Sequence, residues 1–154
     1  MVPSNVIALP AGPHSRVLIA HRRHDVRNVL RTLIEGESVV VVDVSDAEAA
    51  LAELERARFD LLVLELDLPL KDGVSVMQIH RMLLAHERIP VEPPAVILTL
   101  PPEVRGVTTL TDHLRSLGVA GFIDDAPRAE AAALVEEILR ARAAERVAGK
   151  PAAA

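Results

Sequence analysis

Short aliphatic runs alternate five times with stretches whose apolar residues recur at helical spacing, and this alternation constrains the fold more than any other feature. The runs are RVLIA at 16–20, VVVV at 39–42, DLLVLE at 60–65, AVILTL at 95–100 and GFI at 121–123. Apolar on both sides, they predict strands with both faces covered. Between them, Val26, Val29, Leu30, Leu33 and Ile34 form a helical stripe, with Gly36 as a candidate C-cap. Ser45 and Glu48 make a capping-box pattern, opening a helix that buries Ala47, Ala50, Leu51 and Leu54. A third helix at 74–85 is expected to bury Val76, Met77, Ile79 and Leu83. Residues 88–94 read as proline-rich and extended. Val107, Leu110, Leu114 and Leu117 mark a fourth helix, closed by Gly118. Pro127 suits the first turn of a fifth, which turns Leu134, Val135, Ile138 and Leu139 inward and fades near Gly149. His80, His86 and His113 fall on helices and are read as surface residues.

Strands alternating with amphipathic helices imply an α/β fold: (βα)5, a doubly wound, five-stranded parallel sheet of flavodoxin-like type. The spacing predicts one domain at 16–147. A proline- and glycine-bearing arm at 1–15 is read as flexible and a tail at 148–154 as disordered. A length of 154 residues suits one full core. That core must be aliphatic, because Phe59 and Phe122 are the only aromatic residues.

Several function classes are excluded by composition. No apolar run approaches the roughly 20 residues that span a bilayer, and the first residues lack the basic n-region of a secretory signal. Cysteine is absent, which removes thiolate chemistry and disulfides and fits a cytoplasmic setting. The net charge is −5 and the basic residues are scattered, which argues against tracking nucleic-acid phosphates. Lysine occurs only at 71 and 150 while Arg and Ala abound, a usage of the kind GC-rich bacterial genomes produce.

In such sheets, sites form beyond the carboxyl ends of the strands. The run DLLVLELDLPLKDG at 60–73 resembles the centre of response-regulator receiver domains, in which a phosphorylatable aspartate ends the third strand, with proline four residues later and glycine eight residues later. Thr99, Gly118 and Phe122 extend the resemblance, which covers about residues 16–142. It implies a switch pocket, and the pocket's residues depart from the family pattern. Glu65 stands at the phosphoacceptor position. His21 and Arg22 replace the acidic pair that holds Mg²⁺, and Asp125 replaces the lysine that contacts the phosphoryl group. Asp67 matches a position that offers Mg²⁺ only its backbone carbonyl. A carboxylate nucleophile, Mg²⁺ and a cation are what phosphoryl transfer here would require. Mg²⁺ needs carboxylate oxygens that His21 and Arg22 do not supply.

Glu65 either mimics a phosphorylated aspartate or neutralises a nearby cation, and the second reading is preferred: a carboxylate at the end of a buried strand needs a partner, Arg22 or His21. The cluster His21-Arg22-Arg23-His24 is read as a basic rim, with an anion site at a helix N-terminus as an alternative. A zinc set of His21, Glu65 and Asp67 lacks a second His fixed by spacing. Asp67 is a substitute phosphoacceptor if strand alternation carries it to the side of Glu65. Asp124 and Asp125 are read as caps of the last helix. The expectation is a stand-alone pseudo-receiver: a phosphorylation-independent protein–protein interaction module of bacterial signalling, without enzymatic activity, metal or cofactor. It would use a face containing Phe122, Arg115 and Arg140, for a protein partner or a second copy of itself. Two alternatives stay open: a receiver still phosphorylated on Asp67 or Glu65, and a small anion- or nucleotide-binding module built on the basic cluster.

Overall fold

A computed structural model of the chain describes residues 14–87 and 91–147. The tail read at 148–154, the first thirteen residues of the arm and 88–90 of the proline-rich segment lie outside them. Ser15, assigned to the arm, opens the first strand.

Five strands, β1 (Ser15–Ala20), β2 (Val39–Val44), β3 (Leu61–Glu65), β4 (Ala95–Leu100) and β5 (Gly121–Asp124), form one parallel sheet in the order β2-β1-β3-β4-β5. The helices are α1 (His24–Ile34), α2 (Ala47–Arg56), α3 (Gly73–Ala85), α4 (Thr108–Ser116) and α5 (Ala129–Val147), with a 3-10 turn at Pro102–Val104. This is the doubly wound flavodoxin-like fold expected. Alternating strand residues feed two cores. Leu18, Leu62, Leu64 and Leu98 pack under α2, α3 and α4, while Val17, Ile19, Val63 and Ile97 pack under α1 and α5. The winding reverses between β1 and β3, so the chain segments leaving their carboxyl ends converge.

Local chemistry explains where several elements differ from expectation. Asp46, not Ser45, caps α2, accepting from the Ala49 N–H at 2.8 Å. Asp72 caps α3 in the same way, accepting from Ser75 N–H at 2.7 Å. Gly36 does not close α1: Glu35 is its C-cap, and Gly36 instead makes an antiparallel bridge to Val39. Pro127 precedes α5 by two residues rather than sitting in its first turn. Val29 and Val107 lie at the surface, so the apolar stripes of α1 and α4 are narrower than their periodicity suggested.

The largest correction concerns α3. Its buried stripe is Gly73, Val76, Met77 and His80, leaving Leu83 half exposed at 50% and placing His80 inside, not at the surface. Gly73 sets this rotation. A Cβ there would stand 2.6 Å from the Glu65 carbonyl oxygen, so only glycine lets α3 begin against the end of β3. At the far end of α4, Gly118 has φ of 104°, a left-handed conformation that closes the helix as expected. The Arg81 guanidinium of α3 donates there to the carbonyls of Leu117 (2.8 Å) and Gly118 (3.1 Å).

Candidate functional site: an internally paired carboxylate

Glu65, the last residue of β3, is 3% exposed. Arg22, two residues beyond β1, holds both of its oxygens. The Arg22 backbone N–H donates to Oε1 at 2.9 Å and Nε donates to Oε2 at 2.7 Å. The guanidinium reaches inward from a side chain that is 53% exposed. The expected ion pair is therefore present, with the fork made by one side-chain N–H and one backbone N–H. The hydrogen bond to Glu65, then its charge, raises the Arg22 pKa above its usual value, and Asp67 and Asp125 add smaller contributions.

His21 is 1% exposed and lies beside this pair. Its Nδ1 accepts from the Arg23 backbone N–H at 3.1 Å. That leaves Nε2 as the protonated nitrogen, facing Asp125 Oδ1 at 3.1 Å. Nδ1 also stands 3.8 Å from Glu65 Oε1. Asp125 thus ties the segment after β5 to the segment after β1, a different role from the helix cap expected for it. Asp124 faces Arg105 at 3.4 Å.

Thr99 lies directly across from Glu65 in the β3–β4 register. Its hydroxyl is buried and has no protein partner among the described residues. Asp67 is not carried to Glu65's side by strand alternation, because β3 ends at Glu65 and Asp67 lies exposed in the following turn. The same loop holds Leu70 exposed at φ of 76°, a conformation costing a branched side chain about 1–2 kcal/mol. Arg23 is exposed and pairs with Asp25 at 2.6 Å, and His24 is exposed at the start of α1. Among the described residues, no three His, Asp or Glu side chains converge as metal ligands do.

Two contributors escaped the sequence reading. Arg27 donates to the His21 carbonyl at 2.7 Å and to the Arg22 carbonyl at 3.3 Å, bracing the loop that carries both. Asp43 of β2 anchors Arg27 at 3.4 Å and Arg31 at 2.7 Å. The available signal was the i, i+4 spacing of the two arginines, which puts both on one side of α1. On the neighbouring face, Arg115 of α4 stacks over Phe122 of β5 at 5.0 Å, and Arg140 of α5 pairs with Glu136 at 3.2 Å.

The fold and the placement of these residues beyond the strand ends define a signalling-receiver architecture. The family described as the response regulator receiver domain matches residues 17–124, and the chain belongs to it. A protein-glutamate methylesterase/protein-glutamine glutaminase of Paramagnetospirillum magneticum is 33% identical over 70 residues, covering 44% of this chain. The matched part is 18% of that relative's length. Among solved structures, the signal receiver domain of a putative Luxo repressor protein from Vibrio parahaemolyticus superposes with a TM-score of 0.70 at 20% identity, over 87% of this chain and 97% of that one. The chemotaxis response regulator CheY4 of Vibrio cholerae gives 0.65 at 16% identity, over 82% and 98%. These likenesses carry the fold. Receiver domains are signalling modules of two-component systems that act through protein partners. No helix among the described residues is long and apolar enough to cross a membrane.

Proposed function

We propose that this receiver domain is a pseudo-receiver: a cytoplasmic, non-enzymatic protein–protein interaction module that signals without accepting phosphate. The observation carrying this reading is the Arg22–Glu65 pair. A phosphoacceptor must present a free carboxylate oxygen beside Mg²⁺. Both oxygens of Glu65 are engaged at 2.9 and 2.7 Å by a residue standing where a Mg²⁺ ligand would be needed. Asp125, at the position of the phosphoryl-binding lysine, is an anion that would repel a phosphoryl group. The test is incubation with a small-molecule phosphodonor and Mg²⁺, followed by intact mass. The expected result is an unchanged mass; a phosphoryl adduct on Asp67 or Glu65 overturns the reading. The anion- or nucleotide-binding alternative has less support, because Arg22 is committed to Glu65 and Arg23 to Asp25.

The partner surface in this reading is the α4–β5–α5 face. Phe122 lies at its centre beneath Arg115. Beside it, Arg105, Asp124, Arg128 and Glu130 line a cleft of about 330 Å³, giving the mixed charge that favours specific pairing. Charge reversal at Arg115 and Arg140 is expected to weaken capture of the native partner without unfolding the domain. Loss of capture only on reversal of charges around α2 would place the surface elsewhere.

A further inference from the structure

A groove of about 360 Å³ lies between α2 and α3, walled by Leu51 and Leu54 on one side and by Leu83 and Leu84 on the other. The rotation of α3 that buries His80 also opens this groove. It leaves Leu83 50% exposed at the lip, and Met82, before it, 55% exposed. Apolar side chains gathered at the surface and rimmed by charge mark an interaction site. We propose that the groove docks a basic amphipathic helix of a partner protein, with the partner's apolar stripe between α2 and α3 and its cations over Glu48 and Glu55. This site is separate from the α4–β5–α5 face and does not depend on whether the domain accepts phosphate.

Shape, charge and an unused polar group agree. On α3 and the turn that ends it, the lining residues His80, Leu83, Leu84 and Glu87 recur at i, i+3, i+4 and i+7. They span about 10 Å at helical rise, the length of about two turns of a docked helix. A valley between two helices is the seat that an amphipathic helix fills with its apolar stripe. Along α2, Glu48, Leu51 and Glu55 follow one another at i, i+3 and i+7, so this wall carries a carboxylate at each end. Both carboxylates are exposed, and neither makes an ion pair among the described residues. The arginines at the end of α2 are already matched, Arg56 by Glu53 at 3.6 Å and Arg58 by Glu87 at 3.1 Å. The unmatched charge of the rim is therefore negative, which favours a partner with lysine or arginine beside its apolar stripe. In the groove, His80 is 8% exposed, and its ring has no hydrogen-bond partner among the described residues. A neutral imidazole offers one donor and one acceptor, which a polar group on the docked helix would satisfy.

The test titrates the full chain with two synthetic amphipathic helices of identical leucine pattern, one with lysine and one with glutamate at the remaining positions, and follows backbone amide chemical shifts. The lysine–leucine helix is expected to shift the amides of Leu51, Glu55, Leu83 and Leu84 in a saturable way, and the glutamate–leucine helix to leave them in place. Leu83→Ser is expected to weaken binding of the lysine–leucine helix roughly fivefold, the share of a leucine's burial that a half-exposed side chain still has to give. Glu55→Lys should weaken it too and narrow the difference between the two peptides. Both substituted side chains are exposed, and thermal unfolding checks that the variants fold. Shifts confined to α4, β5 and α5, or spread over the whole surface, overturn the proposal. So do equal binding of the glutamate–leucine helix, no binding of either, or undiminished binding to Leu83→Ser. Shifts of the groove amides that follow protein concentration without peptide would assign the groove to a second copy and overturn it as well.

Discussion

Arg22 holds both oxygens of Glu65, one through its backbone N–H at 2.9 Å and the other through Nε at 2.7 Å. The two contacts differ in what a substitution can remove. Glu65→Gln takes the charge from both and is expected to cost about 1–3 kcal/mol, the range for leaving buried polar groups poorly satisfied. Arg22→Ala keeps the backbone N–H, because any residue at 22 supplies it, but leaves the buried Glu65 carboxylate without its cation and is expected to cost a similar amount, about 1–3 kcal/mol. In urea unfolding, the double variant should lose at least about 0.5 kcal/mol less than the sum of the two. Additive losses would show that the pair does not couple β1 to β3.

Divalent cation binding follows from the same pairing. Mg²⁺ keeps several waters and asks its site for one or two carboxylates. The carboxylate at 65 already carries a guanidinium, and His21 Nε2 occupies Asp125. Calorimetric titration at millimolar Mg²⁺ is expected to show no saturable heat, and thermal stability should not rise with Mg²⁺. Saturable binding that Glu65→Gln abolishes would contradict this.

His80 makes stability depend on pH. Burial on the inner face of α3, then the charges of Arg58 and Arg81, hold its pKa below the ordinary 6.5. The unfolded chain therefore takes up a proton at His80 before the folded chain does. The stability associated with neutral His80 is fully present above pH 6.5 and is lost as pH falls from there through the lowered folded pKa. His80→Leu should remove the part of the acid-side slope that begins just below pH 6.5, where carboxylates remain ionised. An unchanged slope would mean that His80 titrates alike in both states.

Arg81 and Gly118 form a clasp between α3 and α4. Arg81→Ala leaves the Leu117 and Gly118 carbonyls without their guanidinium donor and is expected to cost about 1–3 kcal/mol. Gly118→Ala should cost at least as much. It forces a left-handed conformation on alanine, itself worth about 1–2 kcal/mol, and its Cβ would meet the Arg81 guanidinium. Combining the two changes should recover part of the loss, because removing Arg81 clears the space. Thermal unfolding of the three variants decides it.

The parallel sheet, its two-sided burial and the receiver resemblance were all legible in the sequence. Strands such as LLVLE and AVILTL advertise burial on both faces, whereas VVVV, read the same way, forms the edge strand β2 and leaves Val40 exposed; the run from Asp60 to Gly73 places its proline and glycine at fixed distances from Glu65. Pairing of Glu65 with Arg22 was also legible, because a buried carboxylate at a strand end must find a cation and the topology brings that one near. Other features depended on tertiary contacts. Periodicity pointed α3 toward Leu83, but the close approach of Gly73 to the Glu65 carbonyl turned the helix to bury His80. Asp125 looked like a helix cap until the segment leaving β5 met the segment leaving β1, where His21 Nε2 faces it. Arg27 became the brace of the β1–α1 loop only when Asp43 arrived from β2. Strand burial and local turn chemistry are written in neighbouring residues, so the sequence alone determined them. The rotation of α3 and the partners of His21 and Arg27 depend on atoms from segments distant in the chain, and only the packed structure decided those.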